Sequence, residues 1–229
     1  MKVLVIDVGG TNVKVGMDPK KAPLKIPSGG EMTAAAMAAA VKEATADWDY
    51  EVVSIGYPGA VVNGRPAVEP HNLGAGWVRY DYKRSFGKPV KVVNDAAMQA
   101  LGSYQGGRML FLGLGTGLGS ALVADGVLEP LELAHLPYRK NRTYEDYVGL
   151  RGYKRMGRKR WQAHVEKVVE ILKRGLQVDY VMLGGGQTKK LKRLPPGTRL
   201  GDNSHAIAGG ICLWDESRNH RDTSPVVAP

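Results

Sequence analysis

Two short stretches of this chain combine glycine with a carboxylate or a hydroxyl in a pattern suited to holding phosphate. The first, Asp7-x-Gly9-Gly10-Thr11, follows an apolar β-branched run at residues 3–6 and precedes the alternating pair Val13 and Val15. Gly9 and Gly10 let backbone N–H groups approach an anion, and Thr11 adds a hydroxyl donor. Asp7, at the end of the strand, repels phosphate itself but can hold a Mg²⁺ that binds it, through water. An ordinary glycine hairpin is the competing reading of the same residues. The second stretch, Gly113-Leu-Gly-Thr-Gly-Leu-Gly119, lies between the apolar runs 109–112 and 120–124 and mirrors the first, with Gly115, Thr116 and Gly117 at its tip. Between the two, Asn94-Asp95 falls where an apolar strand over 90–93 feeds a helix over 95–104. A carboxylate at such a junction is held rigidly, either as a helix cap or as a group that accepts a proton.

Positioning these residues calls for a strand-rich α/β chain. Paired strands over 2–7 and 12–17 are followed by a Pro-rich connection over 19–27 and a helix over 31–46. Alanines favour that helix, and Met37, Val41 and Ala44 share one stripe. A strand over 51–55 runs into Gly56-Tyr-Pro-Gly59, and Asn63-Gly64 marks a hairpin turn. After the second glycine hairpin, a strand over 127–133 carries Glu132, with His135 just beyond it. Short basic helices are expected over 144–160, and a helix over 162–174 with Gly175 as its stop. A strand over 180–183 ends in Gly184-Gly185-Gly186, followed by helices over 187–194 and 204–214. The paired hairpins imply two lobes, residues 1–105 and 106–203, with the segment 204–216 returning to the first. Residues 217–229 are too polar to be expected to order.

The composition is that of a globular protein, 43% hydrophobic and 24% charged in 229 residues. Cys212 is the only cysteine, which excludes an intramolecular disulfide and a cysteine zinc cage. No run of about 18 apolar residues is present and no leader pattern opens the sequence, so a cytoplasmic protein with no membrane partner is expected. The net charge of +10 is uneven. Residues 1–96 carry 12 Lys/Arg against 10 Asp/Glu, whereas residues 139–174 carry 12 against 4. Such a block either draws in a polyanion or forms a solvated helix face.

Taken in order, these motifs resemble the ROK (repressor, ORF, kinase) branch of the sugar-kinase fold, which is shared with actin and the heat-shock chaperone ATPases. Asp7-x-Gly-Gly-Thr11-x-x-Lys14 is similar to that family's first phosphate motif, Gly113-x-Gly-Thr-Gly-x-Gly119 to its second, and Gly184-Gly-Gly186 to its nucleoside-side glycines. Asn94-Asp95 matches the position of the catalytic aspartate, and Glu132-x-x-His135 that of the sugar-binding pair. The polyphosphate glucokinase-like group is the most similar, through Gly56-x-Pro-Gly59, Asn72-Leu73 with Trp77, Glu132-Leu-x-His-Leu136 and Gly184-Gly-Gly-x-x-Lys-Lys190; that group also lacks the cysteine-rich zinc motif of most ROK kinases. Thr11, Ala134 and Gly149 depart from its usual residues.

The resemblance implies a two-lobed actin-like ATPase (ribonuclease H-like) α/β fold with a central cleft. It implies phosphoryl transfer to the C6 hydroxyl of a hexose, glucose foremost, from ATP and/or inorganic polyphosphate with Mg²⁺. Asp95 would be the base, and Asn72, Asn94, Glu132, His135 and Glu145 would bind the sugar. Asp7, Gly9, Gly10, Thr11, Gly115, Thr116, Gly117, Gly184, Gly185 and Gly186 would serve phosphate and metal. Lys14 either screens phosphate charge or pairs with a surface acid. No zinc site is expected, and a homodimer is. The rival readings are an ATP-only hexokinase of other specificity and a non-catalytic nucleotide-, sugar- or polyanion-binding protein of the same fold. Nucleic acid is not the expected partner of the basic block.

Overall fold

The computed structural model describes residues 1–202 and 204–215. The tail expected to be unordered, 217–229, lies outside the described residues, as does residue 216 of the returning segment. The chain opens with β1 (Val3–Val8), β2 (Asn12–Gly16) and β3 (Leu24–Pro27), followed by α1 (Ala34–Ala44). β3 falls inside the stretch expected to be a plain connection, because residues 24–27 complete an antiparallel ladder with β2. The helix α1 starts at Ala34 rather than at residue 31, since the Thr33 hydroxyl accepts the Ala36 N–H and sets the cap there. β4 (Val52–Tyr57), the short hairpin β5 (Val61–Val62) and β6 (Arg65–Pro66), α2 (Tyr82–Phe86), β7 (Val90–Asn94) and α3 (Asp95–Ser103) complete the first half. Asn63 and Gly64 turn the hairpin with φ of 50° and 71°.

The second half repeats the plan. β8 (Arg108–Leu114), β9 (Leu118–Ala124) and β10 (Val127–Leu131) form an antiparallel meander. A small hairpin of β11 (Pro137–Arg139) and β12 (Arg142–Thr143) turns on Lys140 and Asn141, both left-handed, and leads into α4 (Tyr144–Val148) and α5 (Leu150–Gly175). Then come β13 (Tyr180–Gly184), β14 (Thr198–Leu200) and α6 (His205–Cys212). The first sheet has the order β3-β2-β1-β4-β7 and the second β10-β9-β8-β13-β14. In each, an antiparallel three-strand meander continues into two parallel strands.

The helix α3 is shared between the sheets. Its Ala96, Ala97 and Ala100 pack with Met109, Phe111, Ala121 and Val123 of the second sheet. Met98, one position away, packs with Val3, Val5 and Val52 of the first, together with Ala206 and Ile207 of α6. The helices α3 and α6 cross so closely that a side chain at Gly102 would overlap the His205 carbonyl, and one at Gly209 the Met98 carbonyl. Small residues on both faces of α3 thus let one helix serve two cores.

Four expected elements differ. Glu132 lies past the end of β10, because Ser120 Oγ takes the Leu133 N–H and donates to the Leu131 carbonyl, ending the ladder. α5 is two helices meeting at a kink at Gly157 (φ 73°, ψ 165°), so the break falls at 157 rather than near 161, and the second helix runs through Gly175. Its left-handed exit residue is Gln177 (φ 51°). Residues 187–194 make only a 3-10 turn over Gly186–Lys190, where the Thr188 N–H closes on the Gly185 carbonyl. No helix among the described residues is long and apolar enough to cross a membrane.

Candidate active site

The head of α3 is the centre of the site. Asn94, not Asp95, caps the helix: its side-chain oxygen accepts the Ala96 and Ala97 N–H groups at 2.9 and 3.2 Å, and its amide donates to the Gly59 carbonyl at 3.0 Å. Asp95 is therefore freed from the capping role, with one oxygen on the Ala96 N–H at 2.7 Å. Part of its surface meets solvent, yet its carboxyl is desolvated and lies within the field of Asp7. Burial, then the Asp7 charge, push its pKa up to about 7, against the opposing pull of the Ala96 N–H and of Lys14.

The sheet register explains the proximity. Asp7 pairs with Gly56, which pairs with Val93, so Gly56 stands between Asp7 and the head of α3. A Cβ there would lie 3.5 Å from the Asp95 Cα and strike the Met98 side chain. Asp7 is itself buried, 4% exposed, and accepts a hydrogen bond at 3.0 Å from Lys14, its cross-strand partner. Lys14 is thus the counter-ion of a buried acid, not the partner of a surface acid.

Both glycine turns flank this point. In the first, the Gly9 N–H closes on the Asn12 carbonyl and Ser28 Oγ braces the Gly9 carbonyl at 2.6 Å, leaving Gly10 and Thr11 exposed at the tip. A Cβ on Gly10 would lie 3.2 Å from the Asn72 Cβ, so Asn72 borders this turn. In the second, Gly119 packs against Ala96 with no room for more than hydrogen, and the Gly115 N–H closes the tip on the Gly117 carbonyl. Gly184 packs on the Phe111 ring, and Gly185, at φ 84°, lies against the Leu114 backbone at the end of β8. Gly186 faces open space. The three glycine runs and Asp95 therefore converge.

Several solved structures share this fold. An inorganic polyphosphate/ATP-glucomannokinase from Arthrobacter sp. strain KM is similar at a TM-score of 0.78 and 23% identity, over 94% of this chain and 99% of that one. A ROK family glucokinase from Streptomyces griseus, in complex with glucose and AMPPNP, is similar at 0.66 and 17% identity, over 93% and 99%. A ROK family protein from Streptococcus pneumoniae, in complex with sucrose, is similar at 0.75 and 14%, over 96% and 100%. The fold is that of the ROK sugar kinases. No protein-family model matches the chain, and no curated protein matches it in sequence.

Within this ROK fold the remaining expected residues lie at different distances from the centre. Glu132 and His135 face solvent, with side chains 59% and 71% exposed and 3.7 Å apart. Ser120, next to Gly119 on β9, ties their segment to the second hairpin. Glu145 goes to the second turn: one oxygen accepts the Leu118 N–H and lies against Gly117, and the other accepts from the Arg151 guanidinium, both at 3.3 Å. Arg151 is the residue that motif reading missed. Its signal is positional, two residues after the Gly149 whose hydrogen lets α5 dock, the Leu150 N–H donating to the Gly115 and Thr116 carbonyls.

Among the described residues no group of three or more His, Cys, Asp or Glu converges as a metal cage. Asp7, the buried carboxylate beside Asp95, fits a Mg²⁺ that takes one carboxylate, directly or through water, and completes its shell with water and substrate phosphate. When bound, such an ion would neutralise charge on the transferring phosphoryl group.

Proposed function

We propose that this protein is a sugar kinase that transfers a phosphoryl group to the C6 hydroxyl of a hexose, glucose foremost. The observation that carries the reading is the Asp95 carboxyl, raised to about 7 and set between two glycine turns at the head of a helix already capped by Asn94. A base with that pKa accepts a proton near neutrality without being permanently protonated. Asp95 takes the hydroxyl proton, the hydroxyl oxygen forms a bond to the terminal phosphorus, and the bond from phosphorus to the bridging oxygen breaks. The products are the sugar phosphate and a donor shorter by one phosphate. The Gly10–Thr11 tip and the Gly115–Gly117 tip hold the phosphates, Asp7 would hold Mg²⁺, and Asn72, Asn94, Glu132 and His135 would pair with sugar hydroxyls. We assign residues 1–105 with α6 to one moving lobe and 106–203 to the other, closing over the two substrates to exclude water.

Two donors are compatible with this centre, and one feature favours polyphosphate beside ATP. The start of α5 is bonded to the second turn, so its exposed Arg151, Lys154, Arg158, Lys159 and Arg160 lead outward from the place where phosphate would sit. Arg155 contributes less, since its guanidinium donates to the Asp146 carbonyl and stacks over Tyr147. Similarity to the polyphosphate/ATP-glucomannokinase supports the same choice. The test is sugar phosphate formation with Mg²⁺, ATP or long-chain polyphosphate, and a panel of hexoses. Glucose ranked first with both donors is expected, and no phosphorylated sugar with any pair overturns the reading.

A further inference from the structure

The geometry of the second turn assigns a role to Glu145 and Arg151 that goes beyond substrate contact: we propose that Glu145 is an internal anion that competes with the phosphoryl donor for the Leu118 N–H and the Arg151 guanidinium. The inference rests on the kinase reading above and concerns how its donor site is occupied.

Three contacts place the Glu145 carboxylate where an anion would bind. It accepts the Leu118 N–H, the first N–H of β9 beyond the turn, at 3.3 Å. It lies so close to Gly117 that a single methyl there would overlap it. Its other oxygen holds Arg151 at 3.3 Å. A backbone N–H beside a glycine tip, with a guanidinium at the mouth, is also the donor set that phosphate oxygens select. The two members of the Glu145–Arg151 pair differ in burial, the carboxylate side chain being 22% exposed and Arg151 73%. Arg151 can therefore leave the pair toward solvent and toward a phosphate chain at little cost, while Glu145 stays on the turn until something displaces it.

The carboxylate is also tethered to the segment that carries Glu132 and His135. α4 begins with the Tyr144 N–H on the Leu136 carbonyl, one residue after His135, and Thr143 caps it with a reciprocal Asp146 bond. Glu145 thus stands between the segment 132–136 and the turn 115–117. A donor phosphate that claims Leu118 N–H and Arg151 sends Glu145 away from the turn, and the fixed start of α4 confines where it can go.

The test uses inorganic tripolyphosphate binding to the full chain by calorimetry, without sugar, for the wild type, Glu145→Gln, Arg151→Gln and the double variant, with melting curves to confirm folding. Loss of the competing charge in Glu145→Gln should tighten tripolyphosphate by about three- to tenfold, and Arg151→Gln should weaken it by a similar factor. The gain from Glu145→Gln should shrink when Arg151 is already absent, because freeing that guanidinium is part of the gain. Equal or weaker binding in Glu145→Gln overturns the proposal, as does an unchanged affinity in Arg151→Gln or a failure of every folded form to bind. The kinase reading is judged separately, by turnover of the wild type, so that its failure and this one are distinct.

Discussion

At the scale of single residues the proposed chemistry rests on Asp95, with Lys14 acting on it through its charge, and both can be tested by charge. Replacing Asp95 with Asn keeps shape and the Ala96 contact but removes proton acceptance, so kcat should fall by at least about 10² with KM for either substrate within a few-fold. Turnover near the wild-type value would sink the base assignment. The same variant has a signed effect on stability. The folded-state pKa lies near 7, above the ordinary carboxylate value, so ionising Asp95 disfavours the fold. That penalty is absent below about pH 4, grows as the pH rises through the window to about 7, and is complete above it. Asp95→Asn should therefore be the more stable protein at pH 8, by up to about 4 kcal/mol, with the difference gone near pH 4 in urea unfolding. Lys14 acts in the opposite sense, since its charge lowers the pKa of Asp95. Lys14→Met should move the acidic limb of the pH–rate profile upward, and an unmoved limb would contradict the coupling. Motif position pointed to Asp95 in the sequence, but it left capping and catalysis open because Asn94 and Asp95 are both good caps. Only the backbone shows that Asn94 fills the cap.

Elements are held by glycines as much as by their apolar stripes. At the crossing of α3 and α6, Gly209→Ala sets a methyl group on the Met98 carbonyl, and two backbones must separate to admit it. A loss of about 3 kcal/mol or more is expected in thermal or urea unfolding. A loss under about 1 kcal/mol would mean that the helices are not in contact. The strands, the two glycine hairpins and α3 were legible in the sequence, because alternation and glycine clusters are local signals. The misses came from tertiary bonds with no local signature. Ser120 ends β10 before Glu132. Gln162 on α5 captures the Lys192 N–H and helps hold residues 187–194 away from helix. Gly175 looked like a stop, but the turn out of α5 is made two residues later by Gln177. Glu145, expected as a sugar ligand, also meets the Leu118 N–H and Arg151, contacts that its spacing did not reveal.

For the whole molecule, the uneven charge becomes a row of exposed cations on α5 that starts beside the second glycine turn, where the proposed donor would sit. Each cation that neutralises a phosphate releases counterions, so KM for long polyphosphate should rise steeply with salt, and KM for ATP much less. Changing Lys154, Arg158, Lys159 and Arg160 together to Gln should raise the polyphosphate KM at low salt by about tenfold or more while leaving the ATP reaction within a few-fold. An unchanged polyphosphate KM would show that the row is only a solvated face. The return of α6 to the first sheet carries a different consequence, one for biosynthesis. Ser54 on β4 donates to the Gly210 carbonyl at 2.6 Å and accepts from Trp214 Nε1 at 2.9 Å, contacts separated by 156 and 160 positions. Lys91 reaches the Leu213 carbonyl in the same way. As the chain leaves the ribosome, the first sheet emerges early, yet the helix that covers Val3, Val5 and Val52 is translated only after the whole second sheet, an interval on the order of ten seconds. During that interval the nascent protein presents an uncovered apolar sheet face. A chain stopped after Gly201 should accordingly be recovered in aggregates or bound to chaperones, while its second sheet, complete by Leu200, has already been made.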